Sequence, residues 1–325
     1  MAVKTIFSKV DFGKILTEYD LGEFVSAMPF TAGTVQTNYR LQTTKGEFAF
    51  RYYEKRAKKA ILFEIDLIRH LRANKYPCPA LYINKRGKYV GTYKRKPYVI
   101  FEYVLGEHLE QLDEQQNSEL VQKVAELHII TNNYQPVNTN QRWNYSSKLC
   151  RELAATAAKR INSKNAREKL CWFNKELQSI KLPKSLPKGV CHGDFHFTNV
   201  LFNNGRFRAL LDFDDANYTC LIYDLAALIN PFIRAFEWNS WQQFTNVDNV
   251  FDFREARLTV AEYMQTRTLS KKEKRHMFDV FKLSIMLDCI WRFERGAADD
   301  FFEKRKIEHL NALGRKAFRQ QLFGQ

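Results

Sequence analysis

A chain of 325 residues, 45% hydrophobic and 14% aromatic, is long and apolar enough to bury a large core, which excludes a disordered protein. Its formal charge of +15 comes from dispersed Lys and Arg, densest at residues 55–59, 271–275 and 304–306, each on or beside an expected helix. Such spreading reads as solvated faces rather than a nucleic-acid surface, so a basic nucleic-acid-binding protein is kept only as the non-enzyme alternative. No uncharged apolar stretch reaches membrane-spanning length, since residues 218–236 are interrupted by Asp224 and Arg234. Residues 1–14 lack the apolar core of a secretory signal. The cysteines, Cys78, Cys150, Cys171, Cys191, Cys220 and Cys289, are scattered without a CxxC pair. Free thiols in a cytoplasmic protein are the expectation.

Phe12, Ile15, Leu16 and Tyr19 recur at helical spacing and predict a short helix within residues 7–20. Three strands follow, at 24–30, 37–43 and 47–53, with Lys45-Gly46 as the second turn and a loop at 31–36 that contains Thr34. The third strand carries Arg51. Residues 58–73 form an amphipathic pattern with Ile61, Leu62, Ile65, Leu67, Ile68 and Leu71 inward and Glu64 near the middle. Pro77-Cys78-Pro79 ends it, and a hairpin turning at Arg86-Gly87 leads to an apolar strand over 97–104 that includes Glu102, Tyr103 and Val104. Leu105-Gly106-Glu107 reads as a hinge, which divides the chain into lobes 1–105 and 106–325. The second lobe opens at Asp113 with a helix through His128, a histidine expected to pack in the core. A loop with Trp143 and Tyr145 follows, then one long helical stretch over 146–177. Further helices are expected at about 225–236, 253–267 and 271–295, the last behind a Ser270/Glu273 capping box, and again from Asp299.

The chemistry concentrates between Val190 and Asn217. Apolar runs at 200–202 and 207–211 flank Asn204-Gly205, a strong signal for a tight β-hairpin. Asn199 then stands at its entrance and Asp212 at its exit, with Asp194 on the loop before it and within reach of the same point. Three oxygen-bearing side chains gathered this way suit a hard divalent cation and a hydroxyl beside a phosphate. Asp212 and Asn199 offer a carboxylate and an amide oxygen to Mg²⁺, and Asp194 orients the hydroxyl and takes its proton. His192 reads as a hydrogen-bonder that fixes the loop. His192 and His196 are not a zinc pair, because no HExxH pattern is present and Gly193 breaks a helix.

His192-Gly193-Asp194 with Asn199 and Asp212 resembles the HGDxxxxN…D signature of the aminoglycoside phosphotransferase and choline kinase superfamily, similar in spacing to the catalytic elements of protein kinases. The resemblance implies an α+β, protein-kinase-like two-lobed fold, with a small β-rich N-lobe and a larger, mainly helical C-lobe. It implies ATP- and Mg²⁺-dependent transfer of the γ-phosphate to a hydroxyl of a small molecule. Asp194 is then the catalytic base beside His192, and Asn199 and Asp212 are the metal ligands. Tyr223-Asp224-Leu225-Ala226 resembles the element whose Asp braces the catalytic loop. The loop with Thr34 covers the nucleotide, and backbone groups of Glu102, Tyr103 and Val104 meet adenine. Arg51 stands where the family usually has the Lys that grips the α- and β-phosphates, with Glu64 as its ion-pair partner and Lys55 as the fallback cation.

Leu16-Thr17-Glu18-Tyr19-Asp20-Leu21-Gly22, Gly33, Thr37-Asn38-Tyr39 and Tyr53-Glu54-Lys55-Arg56 look like the second type of bacterial homoserine kinase. A homoserine-like acceptor is therefore expected first, with aminoglycosides, choline and methylthioribose as alternatives. A cationic aminoglycoside calls for an acidic cleft, for which Asp214, Asp215, Glu294, Asp299 and Asp300 are the candidates. A pseudokinase is disfavoured because Asp194, Asn199 and Asp212 are all present.

Overall fold

The computed structural model describes residues 5–30, 35–195, 197–230, 251, 253–294 and 303–324. In its first part run α1 (Lys9–Leu16), β1 (Phe24–Pro29), β2 (Thr37–Thr43), β3 (Gly46–Tyr52), α2 (Lys58–Ala73), β4 (Gly91–Tyr93) and β5 (Lys96–Glu102). Then come α3 (Glu114–Ile130), α4 (Ser147–Ile161), α5 (Lys164–Gln178), β6 (Lys188–Cys191), β7 (Val200–Asn203), β8 (Arg206–Leu210) and β9 (Asn217–Cys220). The last helices are α6 (Ile222–Ile229), α7 (Phe253–Thr266), α8 (Lys271–Glu294) and α9 (Glu303–Phe323).

Two compact units interleave along the chain. The first takes residues 1–116, 136–142 and 196–215, and the second takes 117–135, 143–195 and 216–325. The boundary expected between residues 105 and 106 falls inside the first unit.

The first unit is built on an antiparallel sheet in the order β1-β2-β3-β5-β4. Alternation along β2 and β3 puts Tyr39, Leu41, Phe48, Phe50 and Tyr52 on one face, packed with Phe12, Ile15 and Leu16 of α1. The opposite face receives Asn38 and Arg51, which are direct cross-strand partners. α1 starts at a Ser8/Asp11 capping box. The hairpin expected at Arg86-Gly87 lies instead between β4 and β5, at Lys94 and Arg95, both with positive φ (45° and 68°). Asn84 accounts for the difference: its side chain accepts from Arg86 and Lys88 N–H and closes a local turn that no ladder flanks. Gly91 is required where β4 meets β5, because a Cβ there would lie 2.1 Å from the Tyr98 ring.

The β7–β8 hairpin belongs to this unit as well. Glu107 and Phe202 exchange backbone hydrogen bonds of 2.8 and 3.0 Å, and Leu210 N–H donates to the Pro77 carbonyl at 2.9 Å.

The second unit is mainly helical around a core that includes Val124, Phe173, Leu225, Met286 and Ile290. The single helix expected over 146–177 is two, α4 and α5. Asn162 adopts the left-handed conformation (φ 50°) that ends α4, and the Ser163 hydroxyl accepts from Ala166 N–H to start α5. α8 starts at the expected capping box, with Ser270 N–H donating to Glu273 at 2.9 Å and Glu273 N–H to Ser270 Oγ at 3.2 Å. The helix expected over 225–236 appears as α6, ending at Ile229, and its remainder lies outside the described residues. Among the described residues no helix is long and apolar enough to cross a membrane. All six cysteines are free thiols.

Candidate active site

Asn204 and Gly205, both with positive φ (50° and 71°), turn the β7–β8 hairpin tightly. Leu211 N–H donates to the Asn199 carbonyl at 2.8 Å, closing the open end of the hairpin between Asn199 and Asp212. Asn199 is buried, whereas the Asp212 side chain is 37% exposed and its backbone is left-handed (φ 58°). The expected pairing of entrance and exit residues is therefore present.

Arg51 meets this pair from β3. Its Nε donates to Asn38 Oδ1 at 3.1 Å and its Nη1 to Asp212 Oδ1 at 2.8 Å. The same Nη1 lies 3.5 Å from Glu64 Oε1 on α2, so the ion pair expected between Arg51 and Glu64 is made. Tyr53 Oη donates to the other Glu64 oxygen at 2.9 Å. Burial alone would depress Arg51, but Asp212 and Glu64 outweigh it and hold the guanidinium charged. For Glu64 burial pushes the carboxyl up and Arg51 pulls it down. Lys55, the fallback cation, is exposed, so Arg51 is the residue that meets Glu64.

Tyr103 stacks on Phe30 at 6.4 Å between centroids and carries the Arg40 guanidinium 4.6 Å above its ring. Glu102 closes β5, with its N–H on the Ala80 carbonyl and its carboxylate accepting from Ala80 N–H, both at 2.9 Å. Val104 follows in a half-buried, non-regular segment. Thr34 lies outside the described residues, as does His196.

Two of the carboxylates considered for an acidic acceptor cleft are engaged. Arg56 Nε donates to Asp214 at 2.8 Å and Arg56 Nη2 to Asp215 at 3.0 Å, so both share one guanidinium. Sequence order hid this partner. Asp299, Asp300 and the Glu294 side chain lie outside the described residues.

The loop with Asp194 belongs to the second unit, where it leaves β6 beside β9. Asp224 on α6, fully buried, accepts from His192 N–H at 2.8 Å and Gly193 N–H at 2.9 Å, one to each carboxylate oxygen. The Oδ2 atom also faces His128 Nε2 at 3.0 Å. His192 is buried and its Nδ1 accepts from Asp194 N–H at 3.3 Å, which fixes the loop as expected. Asp194 itself is exposed.

His128 is the core histidine expected from α3, but it also extends the brace. Tyr263 Oη lies 2.7 Å from its Nδ1, and Arg267 Nη1 donates to that hydroxyl at 3.1 Å. A hydroxyl held by Arg267 donates its proton to Nδ1, so Nε2 carries the hydrogen toward Asp224. Burial depresses the imidazole below its ordinary value, with the Asp224 hydrogen bond opposing, and keeps it neutral. Cys191 approaches His128 Nε2 at 3.9 Å, but burial pushes its thiol up, it donates to the Cys220 carbonyl at 3.5 Å, and Nε2 carries its hydrogen toward Asp224, so the group reads as a hydrogen-bonded brace.

A model of the phosphotransferase enzyme family matches residues 26–258. The chain belongs to that family. It is 28% identical over 314 residues to the homoserine kinase of Afipia carboxidovorans, covering 96% of this chain and 88% of that protein. The homoserine kinase of Bartonella henselae is 27% identical over 320 residues, at 96% and 90% coverage. Among solved structures, an amicoumacin kinase superposes with a TM-score of 0.63 at 16% identity, covering 92% of this chain and 94% of that one. A microcompartment-associated aminopropanol kinase gives 0.60 at 16% identity, with 97% and 99% covered. These likenesses establish the expected protein-kinase-like α+β fold, and the chain is a phosphotransferase.

Proposed function

We propose that this phosphotransferase is an ATP- and Mg²⁺-dependent kinase of a small-molecule hydroxyl, with homoserine as its acceptor. The observation that carries the nucleotide part is the meeting of Arg51 with Glu64 and Asp212, a strand cation held between a helix carboxylate and a metal-ligand candidate. The acceptor rests on likeness to homoserine kinases over most of the chain and most of their length. Pairing of Asp214 and Asp215 with Arg56 weighs against an acceptor rich in positive charge.

Asn199 and Asp212 would hold the metal, since an amide and a carboxylate oxygen are the hard donors Mg²⁺ takes. When bound, Mg²⁺ supplies neutralisation of the phosphate oxygens. Arg51 grips the α- and β-phosphates, Glu64 fixes its direction, and backbone groups of Glu102, Tyr103 and Val104 receive adenine. Asp194 orients the acceptor hydroxyl and takes its proton, while His192 and Asp224 hold the loop that presents it. The free cysteines fit a cytoplasmic enzyme.

The test is release of ADP by the purified chain with Mg-ATP and, in turn, homoserine, choline, methylthioribose and aminoglycosides. Homoserine is expected to stimulate ADP release most. Stimulation by another member of the panel and none by homoserine would overturn the acceptor.

A further inference from the structure

The turn that carries Asp212 is held from three sides within the first unit. The Asp214 carboxylate accepts from Gln36 Nε2 at 3.0 Å and from Arg56 Nε and Nη2 at 2.8 and 3.1 Å. Arg56 Nη2 also donates to the Asp214 carbonyl at 3.1 Å and to Asp215 at 3.0 Å. Arg142, just after the short helical turn Thr139–Gln141, donates through Nη2 to the Asp214 carbonyl and to the Phe213 carbonyl at 3.5 Å. Its Nη1 reaches the Ala60 carbonyl on α2 at 3.5 Å, and its guanidinium lies 5.0 Å above the Phe63 ring. Two guanidinium groups thus tie residues 213–215 to α2 and to the linker that precedes it.

This fastening has something to hold. Asp212 is in the left-handed region (φ 58°), which L-residues adopt at some cost, and the Asp214 N–H to Asp212 Oδ1 bond within the turn is long at 3.3 Å. Its carboxylate is also held from beyond the turn, by Arg51 Nη1 at 2.8 Å. Arg51 pulls on that carboxylate from the sheet, while Arg56 and Arg142 fix the backbone that follows it. We infer that Arg56, Arg142 and Asp214 are positioning residues that set Asp212 for the metal, so that metal affinity depends on them more than nucleotide affinity does. The inference rests on the reading of Asp212 as a metal ligand.

Calorimetric titration of Mg²⁺ into the full chain with a non-hydrolysable ATP analogue tests it, in wild type, Arg142→Lys and Asp214→Asn. Supporting groups of this kind change metal affinity by about 10–100-fold, and a loss of about tenfold or more is expected in each variant. Analogue affinity without metal should stay within about twofold of wild type. Arg142→Lys keeps the charge but loses the fork of donors, and Asp214→Asn keeps the shape, so thermal melts of the two show which is folded. A folded variant with the wild-type Mg²⁺ response, or an equal loss with and without metal, would overturn the inference alone. A wild type whose binding ignores Mg²⁺ would overturn the reading of Asp212 and the inference with it.

Discussion

Asp224→Asn removes one charge and one acceptor oxygen from a fully buried position that receives three hydrogen bonds: His192 N–H, Gly193 N–H and His128 Nε2–H. The best-placed asparagine directs its oxygen to His192 and His128, where two of those bonds meet Oδ2. Its amide then faces Gly193 N–H, donor against donor. The loss combines one charge-assisted hydrogen bond of about 1.5–3 kcal/mol with a buried N–H left unsatisfied at about 1–3 kcal/mol. A total of about 3–5 kcal/mol is expected, below the stability of an ordinary domain. Urea unfolding reports the global part. Hydrogen exchange at Gly193 reports the local part, with protection falling by a factor of about 10² or more if the loop alone lets go. His128→Ala should cost less in the Asp224→Asn background than alone, because the two share one network. A folded Asp224→Asn protein within about 0.5 kcal/mol of wild type, with full protection at Gly193, would refute the brace.

Arg51→Ala and Glu64→Gln should each raise the KM for ATP, the double change should be less than additive, and Arg51→Lys should keep partial activity; ATP kinetics untouched in Arg51→Ala would show that another cation does the gripping. Because folding depresses the pKa of His128, the unfolded chain takes up a proton that the folded chain refuses. Stability should therefore fall as pH drops below about 6.5, by up to about 1.4 kcal/mol per pH unit, and hold above it. His128→Gln should flatten that slope, and equal slopes in urea midpoints of the two proteins would contradict a neutral His128.

Where the decisive signal is local, the sequence is legible. Asn204-Gly205 specifies a hairpin that can close only with Asn199 and Asp212 at its end, and the apolar stripe of α2 coincides with Lys58–Ala73. The Ser270/Glu273 box likewise starts α8. The turn at Lys94 and Arg95 is not legible, because two long basic residues take the left-handed conformation without the Asn or Gly that usually marks it. Helical periodicity runs on through Asn162 and Ser163, whose cap and restart look from sequence like two polar surface residues. Long-range partners are hidden most of all. Asp214 and Asp215 invite a reading as cleft carboxylates until Arg56 is seen against them, and nothing near His128 announces Tyr263 or Arg267.

Transfer of the ATP γ-phosphate to a small-molecule hydroxyl, with Asp194 as base, forms one phosphomonoester for each ADP. Phosphorus NMR of the chain with Mg-ATP and homoserine follows donor and product together, in wild type and in Asp194→Asn. The expected result is a homoserine phosphomonoester formed in step with ADP, slowed by a factor of about 10² or more in the variant while ATP still binds. ATP turned over only to ADP and inorganic phosphate, or a variant as fast as wild type, would contradict it.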